Sequence, residues 1–180
     1  MHYCVLVFTK ELPTDEKMIT VMAPFEEGEY EERTDCPVFE WDWWQIGGRY
    51  GGLLKLKADD SFNYYANESR EGRQFISAFL KTYLNRFPVF KQAYEGDEAL
   101  RYMGMNEGFI YCDGAKVSGI MNIDEIKGYV AIDTDGKAIA RSSWNREKEE
   151  WIENANYEEE VAEMKERNRD NFITIVDIHD

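Results

Sequence analysis

The spacing of apolar and polar positions marks both ends of the chain as strands. Residues 2–9 alternate loosely and are rich in β-formers, as a half-buried strand requires. Residues 172–180, from Phe172-Ile173-Thr174 through Val176-Asp177-Ile178-His179, read the same way. Between them, Leu53-Leu54-Lys55-Leu56-Lys57 predicts a strand, with 62–66 as its partner across Asp59-Asp60-Ser61. The period changes after that. Phe75, Phe79, Leu80, Tyr83, Leu84 and Phe87 form one apolar stripe at helical spacing. This predicts a helix from about 71 to 87, with Ser69 able to cap its start and Pro88 to end it. Residues 16–23 fit a strand or a short helix equally, and Pro24 breaks either.

Asp113-Gly114 and Asp135-Gly136 each lie between β-rich flanks. Asp-Gly suits the positive φ values of a type I′ turn, so both predict hairpins. The first joins 109–112 to 115–120. The second joins 129–133 to 137–140. Residues 145–168 read as helical and very acidic, with Asn156 and Glu159 spaced like a capping box. Trp151, Ile152, Ala155, Val161 and Met164 would supply its apolar side. This order predicts one α+β domain over the 180 residues: a mainly antiparallel sheet with two or three helices packed on one face.

Composition adds limits. With 43% hydrophobic and 14% aromatic residues, the chain can bury a core. No apolar run reaches the roughly 18 residues needed to span a membrane. The apolar start is short and lacks a basic lead, so it is read as a strand and not as a signal peptide. Three cysteines, Cys4, Cys36 and Cys112, form neither a disulfide framework nor a CxxC metal site, which suits a reducing cytoplasm. The net charge of −15 argues against direct nucleic-acid or anionic-membrane binding and permits a partner with a basic surface. The acids concentrate at Glu26, Glu27, Glu29, Glu31 and Glu32, and at Glu149, Glu150, Glu153, Glu159, Glu160 and Glu163. Two readings fit them: a solvated surface, or a face that imitates a phosphate backbone.

Candidate chemistry gathers at Trp41-Asp42-Trp43-Trp44-Gln45-Ile46-Gly47-Gly48-Arg49-Tyr50. Three of the five tryptophans fall within four residues there. Paired glycines let a backbone approach an anion, and an arginine can clamp it. The missing Lys-Ser/Thr pair and the strand that follows rule out a P-loop. A tight turn with Arg49 paired to Asp42 or stacked on an indole explains the block equally well. Asp42, Trp44, Arg49 and Tyr50 are therefore the candidate ligand or partner contacts. His2 shares a strand face with Cys4, and Asp177 shares one with His179. If the terminal strands pair, these four converge with the residue types of a metal site or an acid–base pair. No cofactor and no reaction is implied by any other residue pattern.

Ala23-Pro24-Phe25-Glu26-Glu27, the Trp-Asp-Trp-Trp-Gln-Ile-Gly-Gly-Arg-Tyr block, the Asp-Gly hairpin and the closing Val176-Asp177-Ile178-His179 together resemble a family of small proteins encoded by bacteriophages and prophages. The matching order spans nearly the whole chain, apart from roughly 58–108. The chain is shorter before the Trp block than many members. The resemblance implies an accessory protein in the cytoplasm of a bacterial host that binds and inhibits a host protein, including defence nucleases of the CRISPR kind. The alternative is a small enzyme or ligand-binding protein that takes a nucleotide or other anion through Gly-Gly-Arg.

Overall fold

The computed structural model describes residues 1–11, 13, 15–28, 38–57, 104–106, 109–145 and 148–180. The predicted helix at 71–87 and the strand at 62–66 lie outside them. Strand β1 (His2–Thr9) forms the spine of the main sheet. It pairs antiparallel along its full length with the C-terminal strand and parallel with a strand near residue 130, so both of its edges are covered. The remaining strands in chain order are β2 (Trp43–Ile46), β3 (Leu54–Lys57), β4 (Gly104–Asn106), β5 (Phe109–Cys112), β6 (Gly114–Lys116), β7 (Val130–Ile132), β8 (Ala138–Ala140), β9 (Ser142–Asn145), β10 (Glu150–Glu153) and β11 (Phe172–His179). Among the described residues two α-helices accompany them, α1 (Asp15–Met22) and α2 (Tyr157–Arg167). The main sheet runs β2-β11-β1-β7-β8, with β6 following β2 along the same edge of β11. Only β1 and β7 run parallel within it, so the α+β expectation holds.

The core sits where β1, β7 and β11 adjoin. Val5, Leu6, Val7, Val130, Ala131, Ile132, Ile173, Ile175 and Val176 are all fully buried. Successive residues point to opposite faces, so burial of both parities means that the sheet is covered on both sides. Residues 16–23 resolve as helix: Met18 and Met22, four apart, are buried, and Ile19 is left exposed. The helix end is closed by a side chain, because the buried Trp41 Nε1 donates to the Met22 carbonyl at 2.9 Å. That satisfies one carbonyl that a helix terminus leaves without a partner.

Helix α2 is pinned by polar groups as well as by Val161 and Met164. The Tyr157 hydroxyl donates to the Gly128 carbonyl at 2.9 Å, and Lys165 Nζ donates to the Ile126 carbonyl at 2.7 Å. Burial lowers the Lys165 pKa and raises that of Tyr157. At the C-terminal end, Asp133 accepts from Arg167 Nε at 2.7 Å and Nη2 at 2.5 Å, from Asn168 Nδ2 at 2.8 Å and from the Thr134 amide at 2.7 Å. Burial alone would raise the Asp133 pKa. The bonds from Asn168, Arg167 and Thr134 outweigh it and hold the carboxyl below its usual value. A depressed carboxyl adds stability above its unfolded pKa and loses it as the pH falls through the folded value. Asp133→Asn should cost about 1–3 kcal/mol at neutral pH and narrow its deficit against the parent on acidification below about pH 4, read from paired thermal melts.

Three sequence expectations change. Residues 109–120 form no hairpin: β5 pairs with β3 and β4, whereas β6 pairs with β11. Asp113, between them, is fully buried and ties down a different loop. The hairpin at 129–140 is present, but its turn is not type I′. Only Gly136 has positive φ (84°), which matches a type I turn closed by a left-handed glycine. Residues 145–168 are not one helical region. Ser142–Asn145 and Glu150–Glu153 pair as a hairpin, and only α2 is helical. Asn156 stands at the N-cap without a side-chain capping bond. Instead Asn154 accepts from the Asn156 amide and donates to Glu160.

Candidate functional site

Strand register brings the terminal residues together. His2 lies opposite His179 and Cys4 opposite Asp177, so all four share one face. On the next strand Trp43 lies opposite His179. One ring from each of three adjacent strands, Trp43, His179 and His2, thus forms a row on the sheet surface. The two imidazole centroids are 5.1 Å apart, and His2 stands 6.2 Å from Trp43, both edge to face.

Each imidazole is held by a carboxylate. His2 Nδ1 lies 2.9 Å from Asp177 Oδ1, and His179 Nδ1 lies 2.9 Å from Asp42 Oδ1. A carboxylate at Nδ1 keeps the proton there and turns Nε2 outward as an acceptor. Asp177 is buried, whereas Asp42 is exposed. The His2 side chain retains 23% exposure and that of His179 42%, so the rings face solvent while the carboxylate behind His2 does not.

The glycine block builds the floor of this arrangement. Gly47 (φ 70°) and Gly48 (φ 52°) turn the chain back over β11, a path that side chains rarely follow. A Cβ on Gly48 would lie 2.5 Å from the Asp177 Cβ. The turn can therefore pack directly on that carboxylate. The Arg49 amide donates to Asp177 Oδ2 at 2.9 Å, and the Tyr50 hydroxyl donates to the His2 carbonyl at 3.0 Å. Two residues on, the Gly52 amide donates to Asp113 Oδ1 at 2.5 Å. The amides of Gly47, Tyr50 and Gly51 bond to carbonyls of the fold. Five amides of the block are thus engaged internally, and the protein's own carboxylates take the place of a phosphate at two of them. What the block presents to solvent is the Arg49 side chain.

Cys4 has no nucleophilic part here. Burial, then the neighbouring Asp177 carboxylate, pushes its thiol pKa up to about 12, so the thiolate is not populated at neutral pH. Tyr50 is raised too, first by burial, then by Cys4 and Asp177. Among the described residues no group of three or more His, Cys, Asp or Glu is placed to hold a metal ion.

Of the sequence candidates, Asp42, Tyr50, His2, Asp177 and His179 come together, and Arg49 joins them through its backbone amide while its side chain is exposed. Trp44 does not. It lies on the opposite face, partly buried against the core with its ring 6.4 Å from Trp41. Asp42 pairs with His179 in place of the expected Arg49, because the β2–β11 register sets it beside the chain end. Trp43 was not among the candidates, although strict alternation from Trp44 would have set it on the other face. Of the acidic residues, Glu29, Glu31 and Glu32 lie outside the described residues. Glu26 and Glu27 are exposed beside the bridge to Trp41. Glu149, Glu150 and Glu153 are on the β9–β10 hairpin, and Glu159, Glu160 and Glu163 are on α2. Glu158 is drawn to Arg141 and Lys127, and the Arg141 hydrogen bond holds its carboxyl below the usual value. Among the described residues no helix is long and apolar enough to cross a membrane. No family model matches the chain, and neither a curated protein nor a solved structure matches it.

Proposed function

We propose that the row of Trp43, His179 and His2, with Arg49 beside it, binds a small phosphate-bearing ligand of the nucleotide class. The observation that carries this reading is the pair of part-exposed imidazoles, each gripped at Nδ1 by a carboxylate, with no hydrogen bond at Nε2 among the described residues. An imidazole in that grip keeps Nδ1 on its carboxylate and leaves Nε2 to hydrogen-bond a phosphate group. The Arg49 guanidinium adds a planar set of donors suited to phosphate. Trp43, 45% exposed, offers an indole face for a base. The net charge of −15 repels a long polyanion and selects a ligand small enough to feel mainly the local field.

Calorimetric titration with a nucleoside monophosphate, its nucleoside and inorganic phosphate tests the reading. The monophosphate should bind most tightly. Arg49→Ala should weaken it about tenfold, equivalent to roughly 1.4 kcal/mol. Trp43→Ala should weaken the nucleotide similarly and leave inorganic phosphate unchanged. Equal weak heats for all three probes, or an Arg49→Ala protein that binds as well as the parent, would remove the proposal.

A further inference from the structure

A second surface carries a separate inference. We propose that the β9–β10 hairpin docks an arginine- or lysine-bearing segment of a partner protein. The hairpin is a two-stranded sheet of its own, with no ladder to the main sheet. Trp144 lies directly opposite Trp151, with ring centroids 5.6 Å apart at 65°. Such cross-strand aromatic pairs stabilise a hairpin, so the pair explains why an acidic segment forms strands here. It does not explain the exposure. Trp144 is 44% exposed, Trp151 57% and Ile152 41%. Two exposed indoles side by side on one face of a small sheet make the kind of apolar patch that marks an interaction site, with Ile152 on the other face.

Charge decides the occupant. Glu149, Glu150 and Glu153 lie within two residues of Trp151 and are exposed, with Glu153 on the face of the rings. Lys148 reaches Glu150 at 3.8 Å, and no hydrogen bond or ion pair engages the Glu149 or Glu153 side chain among the described residues. Indole faces attract guanidinium and ammonium groups, and adjacent carboxylates complete their hydrogen bonds. A second copy of this chain would bring the same acids and a further −15 to the contact, so it fits poorly. A cationic segment meets both features at once, and the protein's field would speed its approach.

The test is calorimetric titration of the full chain with an octa-arginine peptide, alongside an uncharged Gly-Ser peptide of equal length. Trp151→Ala should weaken octa-arginine binding at least tenfold, and Trp151→Phe, which keeps the ring pair, should restore most of it. The double change Glu149→Gln with Glu153→Gln should weaken binding about tenfold. The same charge change on α2, Glu159→Gln with Glu163→Gln, should weaken it less than twofold. Equal losses from the two double variants would mean that the peptide senses only net charge, and would overturn the proposal. So would full affinity in Trp151→Ala, or a dimer in sedimentation velocity that Trp151→Ala dissolves, which would make a second copy the occupant.

Discussion

Gly48→Ala lowers the melting temperature by roughly 10 °C, on a scale where about 1 kcal/mol shifts a protein of this size by 2–4 °C. Two costs combine. A left-handed conformation costs a residue with a Cβ roughly 1–2 kcal/mol, and Gly48 has φ 52°. The new methyl also meets the Asp177 Cβ at 2.5 Å and Oδ2 at 2.5 Å. Those atoms belong to a buried side chain on a paired strand, so neither side can yield freely, and forced overpacking adds about 1–3 kcal/mol. The damage extends past stability. Relief of the clash moves Asp177 off His2, so the His2 ring loses its fixed orientation. Differential scanning calorimetry with the parent protein gives the first number, and the His2 side-chain signals give the second. A melting temperature within 2 °C of the parent would show that the turn does not rest on Asp177.

Asp177→Ala has the other large effect, a loss of about 2–4 kcal/mol. It removes a buried acceptor shared by the His2 ring and the Arg49 amide, and leaves both donors without a partner in a site that water reaches poorly. Asp177→Asn separates the two roles. Its oxygen can still accept from the Arg49 amide, while its NH2 group must face His2 Nδ1. That favours the tautomer with the proton on Nε2 and costs about 1 kcal/mol, far less than alanine. Ligand binding responds in the opposite proportion, because neither variant keeps the carboxylate that fixes the His2 ring with its proton on Nδ1. Denaturant melts should therefore rank parent, Asn, Ala with Asn close to the parent. Titrations should instead rank Asn close to Ala.

The ends of the fold were readable because β1 and β11 are apolar runs rich in β-formers, and their pairing alone brings His2 to His179 and Cys4 to Asp177. The partner of Asp42 was not readable. It depends on where β2 slides along β11, and a short strand's own pattern fixes which face it buries but not which partner residue it meets. The β9–β10 hairpin was hidden for a related reason. Its Glu-rich composition favours helix locally, and the Trp144–Trp151 pair that stabilises the strands exists only once they face each other. Asp113 misled by its neighbour. Asp-Gly marks many hairpins, but here the carboxylate is buried and tethers Gly52, while β6 joins β11. A tight turn was one of the two readings of the glycine block, and the chain does turn there. Its use of Asp177 and Asp113 in place of a bound phosphate needed three-dimensional proximity to be seen. The expected partner with a basic surface is assigned, as a proposal, to the hairpin, whose indoles add chemistry beyond net charge.

The most direct measurement is an NMR titration of the histidine side-chain nitrogens with a nucleoside monophosphate. The Nε2 signals of His2 and His179 should move together to saturation, with Nδ1 far less affected, and Arg49→Ala should shift the midpoint to about tenfold higher ligand. If neither Nε2 moves, or if both move identically with and without the Arg49 side chain, the paired imidazoles are not a phosphate-binding site.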